Sequence, residues 1–129
     1  MSIAQYTESY RVGIELVDRQ HEQLFEAVNE LGRALSAGAG CEAVERHVAG
    51  LVRLAESHFK TERAILEPLG GPEFESHMTE HRMISNWLDW LHFQVRTGTL
   101  GVSDRHLEVL RTWVKVHVVE TDIPTFGNV

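Results

Sequence analysis

The sequence predicts an all-α protein, an antiparallel up-down-up-down four-helix bundle preceded by an N-terminal arm. Four segments place apolar side chains at intervals of three and four residues, the period of one helical face. Three glycine and proline clusters separate those segments: Gly38 and Gly40; Pro68, Gly70, Gly71 and Pro72; Gly98 and Gly101. No stretch shows a competing strand pattern. Short turns between long helices make neighbours antiparallel, and left-handed bundle packing follows. With 129 residues the chain is expected to be one domain, 1–129, able to bury its own core.

Residues 1–17 show no sustained period and are expected as an extended arm packed over the bundle. The first helix is expected over about 18–36, with Asp18 as N-cap and the stripe Leu24, Val28, Leu31 and Leu35, which His21 extends backwards by three. The second, about 42–67, carries Val44, Val48, Leu51 and Ala55, then His58, Glu62 and Ile65. The third, about 72–96, opens beside Pro72, which a first helical turn accepts. Its stripe is Phe74, His77, His81, Ile84, Leu88, Leu91 and Val95. The fourth, about 103–122, starts at Ser103 as N-cap and follows Leu107, Leu110, Val114 and His117. It is expected to end near Asp122, because Pro124 disfavours helical geometry in the residue before it.

A formal charge of −7, from 19 acidic against 12 basic residues, argues against nucleic acid and anionic membrane as partners. Cys41 is the only cysteine, which excludes an intramolecular disulfide and a thiolate metal cluster. The first eleven residues lack the basic-then-apolar pattern of a leader. No uncharged apolar run approaches the roughly 18 residues of a membrane span. A cytoplasmic protein without membrane insertion is the expectation.

The chemistry lies in the eight histidines. His21, His58, His77, His81 and His117 fall on inward seams, an arrangement that chance would produce on the order of a few per cent of the time. One seam histidine is ordinarily a satisfied core residue. Five of them with a seam glutamate are different, since burying each without a partner costs roughly 1–3 kcal/mol and a shared metal removes that cost. His58 and Glu62 are four apart, as are His77 and His81, so each pair projects from one face. Asp122 follows His117 by five, about 140° round an ideal helix. It can join the cluster only if the helix loosens or ends there.

These seven side chains are too many for one tetrahedral zinc and too rich in nitrogen for calcium or magnesium. Two borderline transition metals fit better, with Glu62 and Asp122 as possible bridges. Imidazole alone does not choose iron over zinc, copper or nickel. No Glu-x-x-His has both members on a seam, which weakens a carboxylate-rich oxidase or iron-storage reading.

Four motifs, Val17-Asp18-Arg19-Gln20-His21, His58-Phe59-Lys60-Thr61-Glu62, His77-Met78-Thr79-Glu80-His81 and His117-Val118-Val119-Glu120-Thr121-Asp122, together resemble the single-domain bacterial hemerythrins over nearly the whole chain. The resemblance implies two iron ions (Fe2+/Fe3+) with an oxo or hydroxo bridge. It places His77, His81 and His117 on one iron and His21 and His58 on the other, with Glu62 and Asp122 bridging. It also implies that dioxygen binds at an open position on the second iron, inside an apolar pocket of Leu24, Phe59, Trp113 and Val118. The chain departs from many bacterial members in having Arg63 after Glu62 and in ending at Val129.

The implied function is reversible dioxygen binding for carriage, storage or delivery, without enzymatic turnover. Two alternatives use the same site: an oxygen or redox sensor acting on a separate partner, and a peroxidase-like, oxidase-like or nitric-oxide-detoxifying enzyme. The sequence names no protein partner. Among the remaining residues, His47, His92 and His106 are expected to be solvated; Glu22 and Glu80, flanking ligand-bearing turns, could accept hydrogen bonds from the outer nitrogens of the imidazoles but are expected to face water. Cys41 is expected to be inert at a turn, and Trp87, Trp90, Phe25 and Phe93 to serve as packing.

Overall fold

The computed structural model describes residues 5–98 and 101–126; the first four residues of the expected arm and the chain end lie outside them. Its main helices are α1 (Glu15–Ser36), α2 (Cys41–Leu66), α3 (Gly71–Arg96) and α4 (Asp104–Val116). No strand occurs among the described residues. Helix α1 packs along α2 and α4, and α2 along α3, closing the expected antiparallel bundle. The helix ends follow local chemistry. Gly38 and Gly98, both at φ +74°, take the left-handed conformation just past α1 and α3 and satisfy late carbonyls there. At α4, Ser103 Oγ accepts from the His106 amide while His106 Nδ1 accepts from the Ser103 amide.

The seams form a core of Leu24, Val28, Leu31, Val44, Val48, Leu51, Leu88, Leu91, Leu107 and Leu110, all buried. Leu35, Ile65, Phe74 and Ile84 are only half-buried. In α2 it is Leu66, one turn past Glu62, that turns inward in place of Ile65.

Asp18 is not an N-cap. Helix α1 begins three residues earlier, and the buried Asp18 carboxylate reaches back to accept hydrogen bonds from the Val12 amide at 2.7 Å and the Gly13 amide at 3.2 Å. The arm is therefore shorter than expected and partly coiled, with a 3₁₀ turn at Glu8–Tyr10. Tyr6 and Tyr10 lay their rings against Phe25, with centroids 5.7 and 5.9 Å away. Asp18→Ala is expected to cost about 2 kcal/mol, because two amides lose their acceptor. Urea denaturation of the variant measures this, and an unchanged midpoint would show that the arm does not depend on Asp18.

The last helix departs most from a regular α-helix. After Val116 it widens into a π-helical segment, His117–Asp122, and then resumes as one α-turn, Ile123–Phe126. Hydrogen bonding from i to i+5 brings residues five apart onto one face, which returns Asp122 to the seam beside His117. The helix does not stop before Pro124, as the sequence suggested. Pro124 sits in the first turn of the resumed segment, where a missing N–H is tolerated.

Candidate metal centre

Alternating chain direction gathers the start of α1, the end of α2, the start of α3 and the end of the fourth helix at one end of the bundle. Each of these contributes to one cluster: His21, His58 with Glu62, His77 with His81, and His117 with Asp122, all buried. The structure brings together all seven residues singled out from the sequence. The π-segment supplies the loosening that Asp122 needed.

The Nε2 atoms converge on the two carboxylates. Glu62 Oε2 lies 2.8 Å from His58 and 3.6 Å from His21, while Glu62 Oε1 lies 3.0, 2.8 and 3.5 Å from His77, His81 and His117. Asp122 Oδ2 lies 2.6, 2.8 and 3.4 Å from His21, His117 and His58, and Asp122 Oδ1 lies 3.1 Å from His77. Donor atoms within 4.8 Å of one another form two sets sharing Glu62: His21, His58, Glu62, His117 and Asp122; and Glu62, His77 and His81. His117 thus stands between the two groups, facing Glu62 from the side of His77 and His81, and Asp122 from the side of His21 and His58.

Outer hydrogen bonds fix which ring nitrogens are bare. Thr61 donates its hydroxyl proton to the Ser57 carbonyl at 3.1 Å, so its oxygen accepts from Gln20 Nε2 at 2.9 Å. That orientation turns Gln20 Oε1 toward His58 Nδ1 at 2.9 Å, so Nδ1 carries the proton and Nε2 presents a lone pair inward. Glu80 does the same for His117, with Oε1 accepting from Nδ1 at 2.8 Å and Oε2 accepting from the Thr121 hydroxyl at 2.7 Å. His58 Nε2 and His117 Nε2 then lie 3.1 Å apart, each also 2.8 Å from a carboxylate oxygen, on Glu62 and Asp122 respectively. Among the described residues, buried His21 Nδ1, Glu62 Oε2 and Asp122 Oδ1 have no hydrogen-bond partner, although each of these two oxygens lies within ion-pair reach of an imidazole. This donor set fits metal ions. Seven buried groups with inward lone pairs are what borderline dications require, and what a protein core otherwise penalises.

The electrostatics agree. Burial works against ionising Glu62, yet contact with Asp122 and the charge of His117 hold it well below the usual carboxylate range. Asp122 is likewise depressed: burial opposes the charge, and the His117 charge outweighs it. Burial disfavours a charged His77, but hydrogen bonds to Asp122 and Glu62 lift it to about 9. His21 and His117 are raised against burial by the same two carboxylates. His81 is lowered, because burial and its cationic neighbours prevail over Glu62.

Aromatic rings flank the cluster, and the other residues expected in the pocket lie in the core. Leu24 and Val118 are fully buried, Phe59 nearly so, and Trp113 half-buried. The Phe59 ring stacks on His81 at 4.1 Å and lies 5.9 and 5.7 Å from His58 and His117, while Trp113 stands 6.2 Å from both Phe59 and His117. Phe126, on the resumed α-turn, is buried and sits 6.2 Å from the His77 ring.

Sequence reasoning missed Gln20, whose only signal was its place directly before His21. For Glu80 the less favoured of the two expectations holds, since it is half-buried and accepts a hydrogen bond from His117; Glu22 is exposed as expected. The three remaining histidines are not simply solvated. His92 pairs with Glu45 at 2.8 Å, His106 closes the α4 cap, and His47 is half-buried. Phe25 is core, while Trp90 and Phe93 are exposed, with the Arg96 guanidinium over Phe93. No helix among the described residues is long and apolar enough to cross a membrane.

Comparison with known proteins bears on this cluster. The family model of the hemerythrin HHE cation binding domain matches residues 12–123. A bacteriohemerythrin of Methylococcus capsulatus is 23% identical over 113 residues, covering 88% of this chain and 86% of that protein. A myohemerythrin of Theromyzon tessulatum is 25% identical over 124 residues, covering 96% and 92%. The crystal structure of a hemerythrin point mutant superposes with a TM-score of 0.88 at 21% identity, over 98% of this chain and 99% of that one. A wild-type hemerythrin structure gives 0.83 at 22% identity, covering 95% and 97%.

Proposed function

The chain belongs to the hemerythrin family, whose matching domain spans all seven clustered residues, and on that premise we propose that it binds dioxygen reversibly at a non-haem di-iron centre. Carriage, storage or delivery of oxygen, rather than enzymatic turnover, is the role this reading gives it. The observation that carries the reading is the buried convergence of five imidazoles on two carboxylates, beside the Phe59 and Trp113 rings.

An iron pair bound there would supply the two-electron redox chemistry that reversible dioxygen binding needs. The protein's own groups determine whether that exchange is clean. His21, His58, Glu62, His77, His81, His117 and Asp122 would hold the ions, and two carboxylates against five neutral rings leave a modest residual positive charge. Such a site favours the reduced state more than a carboxylate-rich one does. Gln20 and Glu80 keep protons on the outer ring nitrogens, so the inner ones remain donors. Leu24, Phe59 and Val118 exclude water, which would otherwise bring the protons that drive irreversible oxidation.

An optical spectrum of the reduced protein, recorded before air, after air and after removal of oxygen, tests this reading. A band that appears with oxygen and disappears on its removal is the expected result. Irreversible oxidation, or rapid turnover with peroxide or nitric oxide, would replace the carrier by an enzyme.

The pocket gives a sharper prediction. Leu24 lies one turn after His21 and is 1% exposed, so Leu24→Ala opens space for water while leaving every proposed ligand in place. Iron content is expected to stay that of the parent, stability to fall by about 2–5 kcal/mol, and the oxygenated protein to decay faster to the ferric form. Stopped-flow absorbance reads the decay, and an unchanged rate in fully loaded variant removes Leu24 from the pocket.

A further inference from the structure

The outer partners of the cluster's imidazoles are chemically unequal. His117 Nδ1 donates to a carboxylate, Glu80, at 2.8 Å; His58 Nδ1 donates to a neutral amide, Gln20, at 2.9 Å; and buried His21 Nδ1 has no hydrogen-bond partner among the described residues. We propose that Glu80 and Gln20 are positioning residues that make the two halves of the centre electronically different, Glu80 strengthening His117 as a donor and Gln20 leaving His58 the weaker one.

The chemistry follows from the acceptor. A carboxylate draws the Nδ1 proton toward itself and gives the ring imidazolate character, which raises the basicity of Nε2 and favours the more highly charged oxidation state of an ion bound there. An amide oxygen carries no formal charge and does this weakly. Neither partner is free to drift. Thr121 donates to the second Glu80 oxygen at 2.7 Å, and Thr61 accepts from the Gln20 amide at 2.9 Å, so each acceptor is held from behind. Thr121 directly precedes Asp122 in the π-segment, so Glu80 also ties that segment to α3.

This inference rests on the di-iron reading above and adds to it. With His21 and His58 on the oxygen-binding ion, as the resemblance divides them, that ion has the weaker donors and the higher potential. It is therefore the one that more readily returns to the ferrous state when oxygen leaves. The other ion, on the Glu80 side, is the one held more firmly oxidised.

Glu80→Gln keeps an acceptor for His117 and removes the charge; Gln20→Glu adds a charge behind His58. Stepwise redox titration of the iron-loaded proteins is expected to show Glu80→Gln raising mainly one one-electron midpoint. The ferrous-to-ferric ratio at fixed potential should rise by about tenfold, equivalent to about 59 mV for one electron. Gln20→Glu is expected to lower mainly the other midpoint. Unmoved midpoints in fully loaded variants, or both substitutions acting on the same step, would overturn the proposal. A second measurement needs no iron redox chemistry: in the zinc-exchanged protein the His117 Nδ1 proton should resonate downfield of the His58 Nδ1 proton, with the gap closing in Glu80→Gln. Equal shifts in the parent protein would overturn the proposal even if a variant failed to load iron. A parent protein that takes up no iron at all would instead defeat the di-iron reading, and the proton shifts would still decide the inequality.

Discussion

Stripping the metal is expected to lower the thermal midpoint of the protein by about 30 °C. Free ion at a thousandfold excess over its dissociation constant stabilises the folded chain by about 4 kcal/mol per ion. Two ions then give about 8 kcal/mol, and a chain of this size moves by roughly 4 °C per kcal/mol. The structural ground is the packing of five imidazoles and two carboxylates in the core, which without metal have only one another as partners on their inward side. The effect has a pH signature. In the stripped protein His77 is held at about 9, above the ordinary 6.5 of an unfolded chain, so its protonation stabilises the fold fully below 6.5. That contribution is lost as pH rises through about 9. The gap between loaded and stripped protein should therefore widen from pH 6.5 to 9. Calorimetry of both forms across that range reads it directly. A stripped protein as stable as the loaded one, or metal analysis showing a single zinc per chain, would sink the di-iron reading.

Replacing Glu62 by alanine is expected to weaken both ions, by more than about a hundredfold, since even outer partners of metal ligands contribute ten- to hundredfold. Among the described residues its two oxygens alone reach all five imidazole Nε2 atoms within 3.6 Å, with His58 and His21 on one oxygen and His77, His81 and His117 on the other. No single histidine has that reach. His21→Ala is expected to weaken chiefly one ion and leave the other bound. Elemental analysis of both variants after expression in iron-replete medium separates the roles, and full occupancy in Glu62→Ala would show that the residue is not a bridge.

What could be read from the sequence was what repeats along a helix. The spacings His58 to Glu62 and His77 to His81 place each pair on one face, and Leu24, Val28 and Leu31 mark the same face of α1. Asp122 was readable as a condition: five residues after His117, it needed a loosened helix, and the π-segment is that loosening. Contacts between helices were harder to see. Glu80 meets His117 and Gln20 meets His58 across helix interfaces, 37 and 38 residues apart in the chain, where no period links the partners. His92 found Glu45 in the same way. Asp18 looked like a cap because caps and arm anchors use the same residue type; only the start of α1 at Glu15 shows which amides it serves.

The π-segment amounts to one surplus residue threaded into an otherwise continuous helix. This makes the chain asymmetric toward changes of length. Loss of the exposed Glu120 would return Asp122 to four positions after His117, the ordinary helical spacing for a shared face, with Val118 and Thr121 retained. A gained residue has no such outlet, because six positions along an ideal helix is about 240° round and points the carboxylate away from the seam. Deleting Glu120 is therefore expected to keep Asp122 on the seam, whereas inserting a residue between His117 and Asp122 is expected to remove it.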